Sequence, residues 1–162
     1  VNGSRALIPA SNQKILTSGA ALITLGPDFV FRTELVQDGD RLIVRGGGDP
    51  ALADPELLED MRPPMLVDDV LDTLAGAVKR AGMERVREIV LDDRVFDRQF
   101  VHPSWPARHL DKRFCAEVAG INFHVNTIAV FPRPSQEGAG RPPSVRVQPS
   151  ARWLEVETRE AR

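Results

Sequence analysis

The chain has 162 residues, with 21 basic against 23 acidic side chains for a net charge of −2, and it is 42% hydrophobic and 27% charged. This is an ordinary globular composition, which excludes a disordered, collagen-like or disulfide-stapled chain; the balanced charge offers no broad electrostatic footprint for a nucleic-acid backbone. The longest apolar run, residues 20–25, is far too short to span a bilayer, and the single Cys115 cannot form an internal disulfide.

The chain opens at Val1-Asn2-Gly3 without an initiator Met or a basic-then-apolar leader, as expected when an upstream segment was removed or never included. Residues 11–25 read as a helix after Pro9, with Ser11 or Asn12 as N-cap and Gly26-Pro27 as the stop. Its apolar residues leave little polar face, so burial on most sides is expected. Residues 31–36 and 41–45 read as two strands joined through an Asp38-Gly39 hairpin signal. The run from Gly46 to Pro50 breaks that pattern and reads as a turn. A helix is predicted over 67–80, with Val67, Val70, Leu71, Leu74 and Val78 on one face and Gly82 beyond its end. A buried strand follows over 86–91, then a loop-like stretch over 92–113. The remainder predicts strands over 122–131, 144–148 and 153–158, with a Pro/Gly-rich loop at 132–143. The fold class is α/β (α+β), in an order that suggests pieces of more than one domain.

The sharpest chemical candidate is Ser11-Asn12-Gln13-Lys14, a Ser-x-x-Lys at a helix start. Residues three apart on a helix share a face, so a neutral Lys14 amine can take the proton of the Ser11 hydroxyl. The helix N-terminus adds positive partial charge and free N–H groups near a developing oxyanion. Only three of the basic residues are Lys (Lys14, Lys79, Lys112), and Lys, unlike Arg, can lose its proton. By itself a Ser-x-x-Lys is also what a capped helix with a solvated Lys looks like, so both readings stand at this point.

Residues 7–17 (LIPASNQKILT), 25–31 (LGPDFVF) and 42–50 (LIVRGGGDP), followed in order by 91–97 (LDDRVFD) and 114–126 (FCAEVAGINFHVN), resemble the class C low-molecular-mass penicillin-binding proteins. These are serine D-alanyl-D-alanine carboxypeptidases and endopeptidases of bacterial cell walls. The resemblance implies a partial penicillin-recognising serine-transferase domain carrying inserted α/β and strand-rich domains: residues 1–30 as its first segment, 31–112 as an inserted α/β domain and 113–162 as the start of a strand-rich insert. It implies Ser11 as nucleophile and Lys14 as base, with peptidoglycan stem peptides as substrates and β-lactams as acylating inhibitors. It further implies a location outside the cytoplasmic membrane, and no metal or organic cofactor. Trp105 matches an aromatic that contacts substrate in that family, and Phe114 stands where the family usually has Tyr. Arg108 or His109 falls where an acid often holds a substrate amine. The family's Ser-x-Asn and Lys-Thr-Gly motifs do not occur in the 162 residues. The chain is therefore expected to stop inside an insertion, to hold half an active site and to fold poorly alone. With no Tyr present, a Tyr general base is not encoded here.

The remaining candidates favour structural roles. Gly46-Gly47-Gly48-Asp49 lacks phosphate-loop spacing, and Asp92, Asp93 and Asp97 read as a solvated turn rather than a calcium loop. His102, His109 and His124 lack zinc spacing. Two other functions fit the same residues less fully: a non-catalytic wall-binding or scaffold module, and a serine esterase or β-lactamase using the Ser11–Lys14 pair.

Overall fold

The computed structural model describes residues 3–136, 138, 140–150 and 154–159. The chain divides into two compact units, Val1–Phe31 and Arg32–Arg162.

The first unit is built on helix α1 (Gln13–Leu25), entered through a 3₁₀ turn at Ala10–Asn12. Its start differs from the expectation, because neither Pro9, which precedes the turn, nor Asn12, which precedes α1, makes a side-chain capping bond. The 3₁₀ turn does that work instead, Asn12 N–H donating to the Pro9 carbonyl at 3.0 Å. Gly26 ends α1 at φ 84°, donating to the Leu22 carbonyl. No residue of α1 is buried, against the expectation of a covered helix, and Ile15 and Ile23 are 73% and 87% exposed. The physical reason is size: among the described residues this unit holds one helix and no strand that could form a covering layer.

The second unit centres on a three-stranded sheet in the order β1-β2-β3. Strands β1 (Glu34–Asp38) and β2 (Arg41–Arg45) form the expected antiparallel hairpin, Asp38 facing Arg41 across Gly39-Asp40. Strand β3 (Glu88–Asp92) lies parallel to β2 in a register that pairs Arg45 with Asp92, but it is not the buried strand expected over 86–91: at the sheet edge it leaves Ile89 and Leu91 61% and 66% exposed. The connection between them carries α2 (Pro55–Asp60) and α3 (Val67–Arg80). Helix α3 has its predicted bounds, with Asp69 accepting from Leu66 N–H at 2.7 Å at the start and Gly82 at φ 81° beyond the end. Helix α2 is not legible in the apolar periodicity. Six residues long, it is started by Asp54, whose side chain accepts from Glu56 N–H at 3.0 Å, and by Pro55 in the first turn. Its Leu58 packs with Ala53 and Val67 as a buried cluster, flanked by Met65, Val70 and Phe123.

The Gly46-Gly47-Gly48 run is not a turn but a crossing of close backbones. Gly46 N–H donates to Asp92 O at 3.0 Å, continuing the sheet, and Gly48 N–H donates to Gly120 O at 2.8 Å. A Cβ at Gly46 would strike the Gly120 carbonyl, and one at Gly120 would strike the Asp93 carbonyl, so three strands of backbone stack where no side chain fits.

Two of the three predicted C-terminal strands need correction. Over 122–131 the chain forms a left-handed turn at His124–Asn126, with φ of 55°, 57° and 50°, before β4 (Ala129–Arg133). The strand expected over 153–158 does not form over 154–159, and Trp153 lies outside the described residues. Strand β5 (Ser144–Gln148) has its predicted bounds and pairs antiparallel with β4. Residues 113–127 bond back to 48–56, through Gly48 to Gly120, Leu52 O to His124 N–H at 3.1 Å, and the Arg113–Glu56 ion pair. These contacts run across the division drawn from sequence near residue 112.

Candidate active site

Ser11 sits in the 3₁₀ turn and Lys14 in the first turn of α1, so one helical run sets their relative placement. Both side chains are exposed, and neither has a hydrogen-bond or ion-pair partner among the described residues, each other included. Catalytic contacts of this kind commonly tighten only when substrate binds. Ala10, just before Ser11, has φ 46°, a left-handed value that costs a residue with a Cβ on the order of 1 kcal/mol. Such strained backbone gathers at functional sites, and here it sets the direction from which the chain delivers Ser11 into the helix. The Asn12 N–H donates to Pro9 O and the Gln13 N–H to Ala10 O and Ser11 O, whereas the Ser11 N–H has no partner among the described residues.

Trp105 and Phe114 belong to the second unit. Trp105 is half-buried, its N–H donating to His102 O at 3.0 Å. Phe114 lies in a 3₁₀ turn at Arg113–Cys115, is 72% exposed and meets the His109 ring edge-on at 5.6 Å between centroids. Arg108 and His109 fall in another short 3₁₀ turn, Ala107–His109. Arg108 is exposed and His109 half-buried against Phe114. Thus Ser11 and Lys14 share one unit, and the aromatic candidates share the other.

The acidic trio after β3 is more engaged than its sequence suggests. Asp92, read as part of a solvated turn, has a side chain only 10% exposed. It accepts from Arg94 Nε at 2.8 Å and Nη2 at 3.0 Å, and from Arg45 Nε at 3.3 Å. The Arg94 hydrogen bonds, helped by Arg45, hold its carboxyl well below the usual carboxylate range. Arg45 also donates to Glu34 at 3.2 Å. Asp93 pairs with Arg98, and Asp97 accepts from Gln99 N–H. Among the described residues no three His, Cys, Asp or Glu side chains converge as metal ligands.

The asparagine network is what sequence reasoning missed. Asn122, 6% exposed, accepts from Ala119 N–H and Asn126 Nδ2, each at 2.9 Å, and donates to Asp49 O at 3.2 Å. Asn126 also accepts from Phe123 N–H and donates to Glu117 O. His124 is 2% exposed, and because a carbonyl can only accept, its Nδ1 carries the proton donated to Thr127 O at 3.0 Å. A dense run of Asn and His after a Gly was the available signal, but its partners at Asp49 and Leu52 are about 70 residues away.

Comparison with known proteins then places the chain. The sequence profile of the D-Ala-D-Ala carboxypeptidase 3 (S13) family matches residues 1–161. The chain belongs to this family. Among S13 relatives, it is 30% identical over 152 residues to a D-alanyl-D-alanine carboxypeptidase of Actinomadura sp., covering 85% of this chain and 26% of that protein. It is 29% identical over 134 residues to the D-alanyl-D-alanine carboxypeptidase DacB of Haemophilus influenzae, covering 77% of this chain and 25% of that protein. The crystal structure of penicillin binding protein 4 (dacB) from Haemophilus influenzae superimposes with a TM-score of 0.63 at 25% identity, over 88% of this chain and 30% of that one. The chain thus spans between a quarter and a third of the length of the S13 relatives it matches. The mixed helix-and-sheet fold is that of part of a penicillin-recognising serine enzyme.

Proposed function

We propose that Ser11 and Lys14 are the nucleophile and base of a serine D-alanyl-D-alanine carboxypeptidase or endopeptidase that acts on peptidoglycan stem peptides outside the cytoplasmic membrane. The observation that carries this reading is the Ser-x-x-Lys pair across the entry of α1, in a chain matched to the S13 family from end to end. Ser11 Oγ attacks the carbonyl carbon between two D-Ala residues while a neutral Lys14 amine takes its proton. The tetrahedral oxyanion is met by the N–H of Ser11. The C–N bond then breaks, the departing D-Ala nitrogen takes the proton back, and water hydrolyses the acyl-serine ester. A β-lactam forms the same ester through its ring carbonyl and leaves slowly.

Substrate side chains are assigned to Trp105 and Phe114, whose apolar rings can pack along an extended peptide. Where the resembled family often has an acid, Arg108 or His109 stands instead, and the Arg108 guanidinium there favours a carboxylate over an amine. No helix among the described residues is long and apolar enough to cross a membrane.

The test is labelling of the whole protein with a fluorescent penicillin. Wild type is expected to carry one covalent label, and Ser11→Ala none. Equal labelling of Ser11→Ala would remove Ser11 as nucleophile, and an unlabelled wild type that also fails to release D-Ala would remove the activity.

A further inference from the structure

A cleft of about 480 Å³ lies wholly within the second unit, its lining including Arg32, Glu34, Arg45, Gly47, Asp92 and Arg94. It opens where β2 and β3, parallel to each other, both end, with Gly46-Gly47 leaving β2 and Arg94-Val95 leaving β3. The carboxyl ends of parallel strands are where open α/β sheets receive ligands.

Asp92, the more buried carboxylate of the cleft, accepts at both oxygens from Arg94 and Arg45, while Glu34 accepts from Arg45 at Oε2 alone. Arg32, Arg45 and Arg94 thus set three positive charges against the two negative ones of Asp92 and Glu34 in the lining of the cleft. Arg32 is exposed, and its guanidinium has no partner among the described residues, so all of its donors remain available. Gly46 and Gly48 direct their N–H groups to Asp92 O and Gly120 O, whereas the Gly47 N–H between them has no partner among the described residues. An unpaired Arg fork in a lining with positive charge in excess favours a planar or tetrahedral oxyanion over a cation.

We propose that this cleft is an oxyanion-binding site, with Arg32 as the principal ligand-contacting residue and the Arg45–Asp92–Arg94 network holding the cleft open around it. The ligand group is a carboxylate, as on a peptide, or a phosphate, as on a polyol-phosphate or nucleotide. The proposal is independent of Ser11 chemistry, because no residue of the first unit lines the cleft.

The test is equilibrium dialysis of the whole protein at fixed ionic strength in chloride, with radiolabelled N-acetyl-D-alanine in one arm and radiolabelled inorganic phosphate in the other. Saturable binding of about one equivalent is expected in at least one arm, and the arm that saturates identifies the source. Arg32→Ala and Arg32→Gln should each weaken it about tenfold or more, the usual consequence of losing a charge-assisted hydrogen bond. Arg80→Ala, an exposed arginine outside the cleft at the end of α3, should bind as wild type does. Because Arg32 has no intramolecular partner, its variants should keep the wild-type melting temperature. Absence of saturable binding in both arms overturns the proposal, as does equal binding by wild type and Arg32→Gln. Penicillin labelling of Ser11 is read separately, so loss of either reading leaves the other measurable.

Discussion

Asn126 donates through Nδ2 to Asn122 Oδ1 at 2.9 Å, and this bond clips a left-handed turn to the loop that crosses the end of the sheet. Val125, a β-branched residue at φ 57°, lies inside the clipped segment. Left-handed backbone at such a residue is costly and persists only where surrounding bonds over-determine it.

Asn122→Ala should therefore be among the most damaging single changes in the second unit. It leaves Ala119 N–H and Asp49 O without their partner and removes one bond from Asn126, a combined loss of about 2–4 kcal/mol. The measurement is the unfolding midpoint of the variant against wild type. A fall no larger than that of an exposed Asn or Gln substitution, such as Gln37→Ala, would show that the network is dispensable.

Gly120→Ala should be destabilising for a different reason. Its Cβ would meet the Asp93 carbonyl, which is backbone and cannot swing aside, so the crossing with Gly46 must open. An overpacking cost of about 3 kcal/mol or more is expected, seen as reduced soluble yield and a lowered melting temperature. Gly82→Ala meets no neighbouring atom but is strained by its φ of 81°, and should cost about 1 kcal/mol.

Asp92 predicts an acid-sensitive step. Its carboxyl titrates lower in the folded chain than in the unfolded one, because Arg94 and Arg45 stabilise the ionised form. A depressed folded-state value gives stability that is fully present above the unfolded value near pH 4 and is lost as pH falls below it toward the folded value. Asp92→Asn should thus be less stable than wild type at pH 7, and the difference should shrink as pH falls below about 4. A difference that stays constant from pH 7 to pH 2 would separate Asp92 from the acid response.

Lys14→Arg separates charge from proton transfer. Arg keeps the positive charge and much of the length but cannot supply a neutral nitrogen. Acylation by a β-lactam should fall by about a thousandfold or more, as when one member of a cooperating catalytic set is lost. Since Lys14 is exposed, the fold should be unchanged. An acylation rate within a few-fold of wild type would assign the proton transfer elsewhere.

Local sequence determined those elements whose signals are local. The bounds of α3 followed from a 3.6-residue apolar period with Gly82 beyond it, and the β1–β2 hairpin from Asp38-Gly39 between alternating strands. Ser-x-x-Lys at a helix entry could be read the same way, because three residues of a helix fix which side chains share a face. The S13 family itself was legible from ordered motifs spread over most of the chain.

Tertiary structure decided what depends on distant partners. Asp92 is clamped chiefly by Arg94, two residues on, but its burial beside a second arginine, Arg45 from 47 positions earlier, depends on the parallel register of β2 and β3. The role of Gly46 rests on Gly120, and the left-handed turn at residues 124–126 on bonds among Asn122, Asn126 and Asp49 that override the β preference of the surrounding sequence. Helix α2 is too short for periodicity to reveal and is held by the Asp54 cap and by Leu58 in the core. The donor-rich cleft at Arg32 likewise exists only because the ends of β2 and β3 come together.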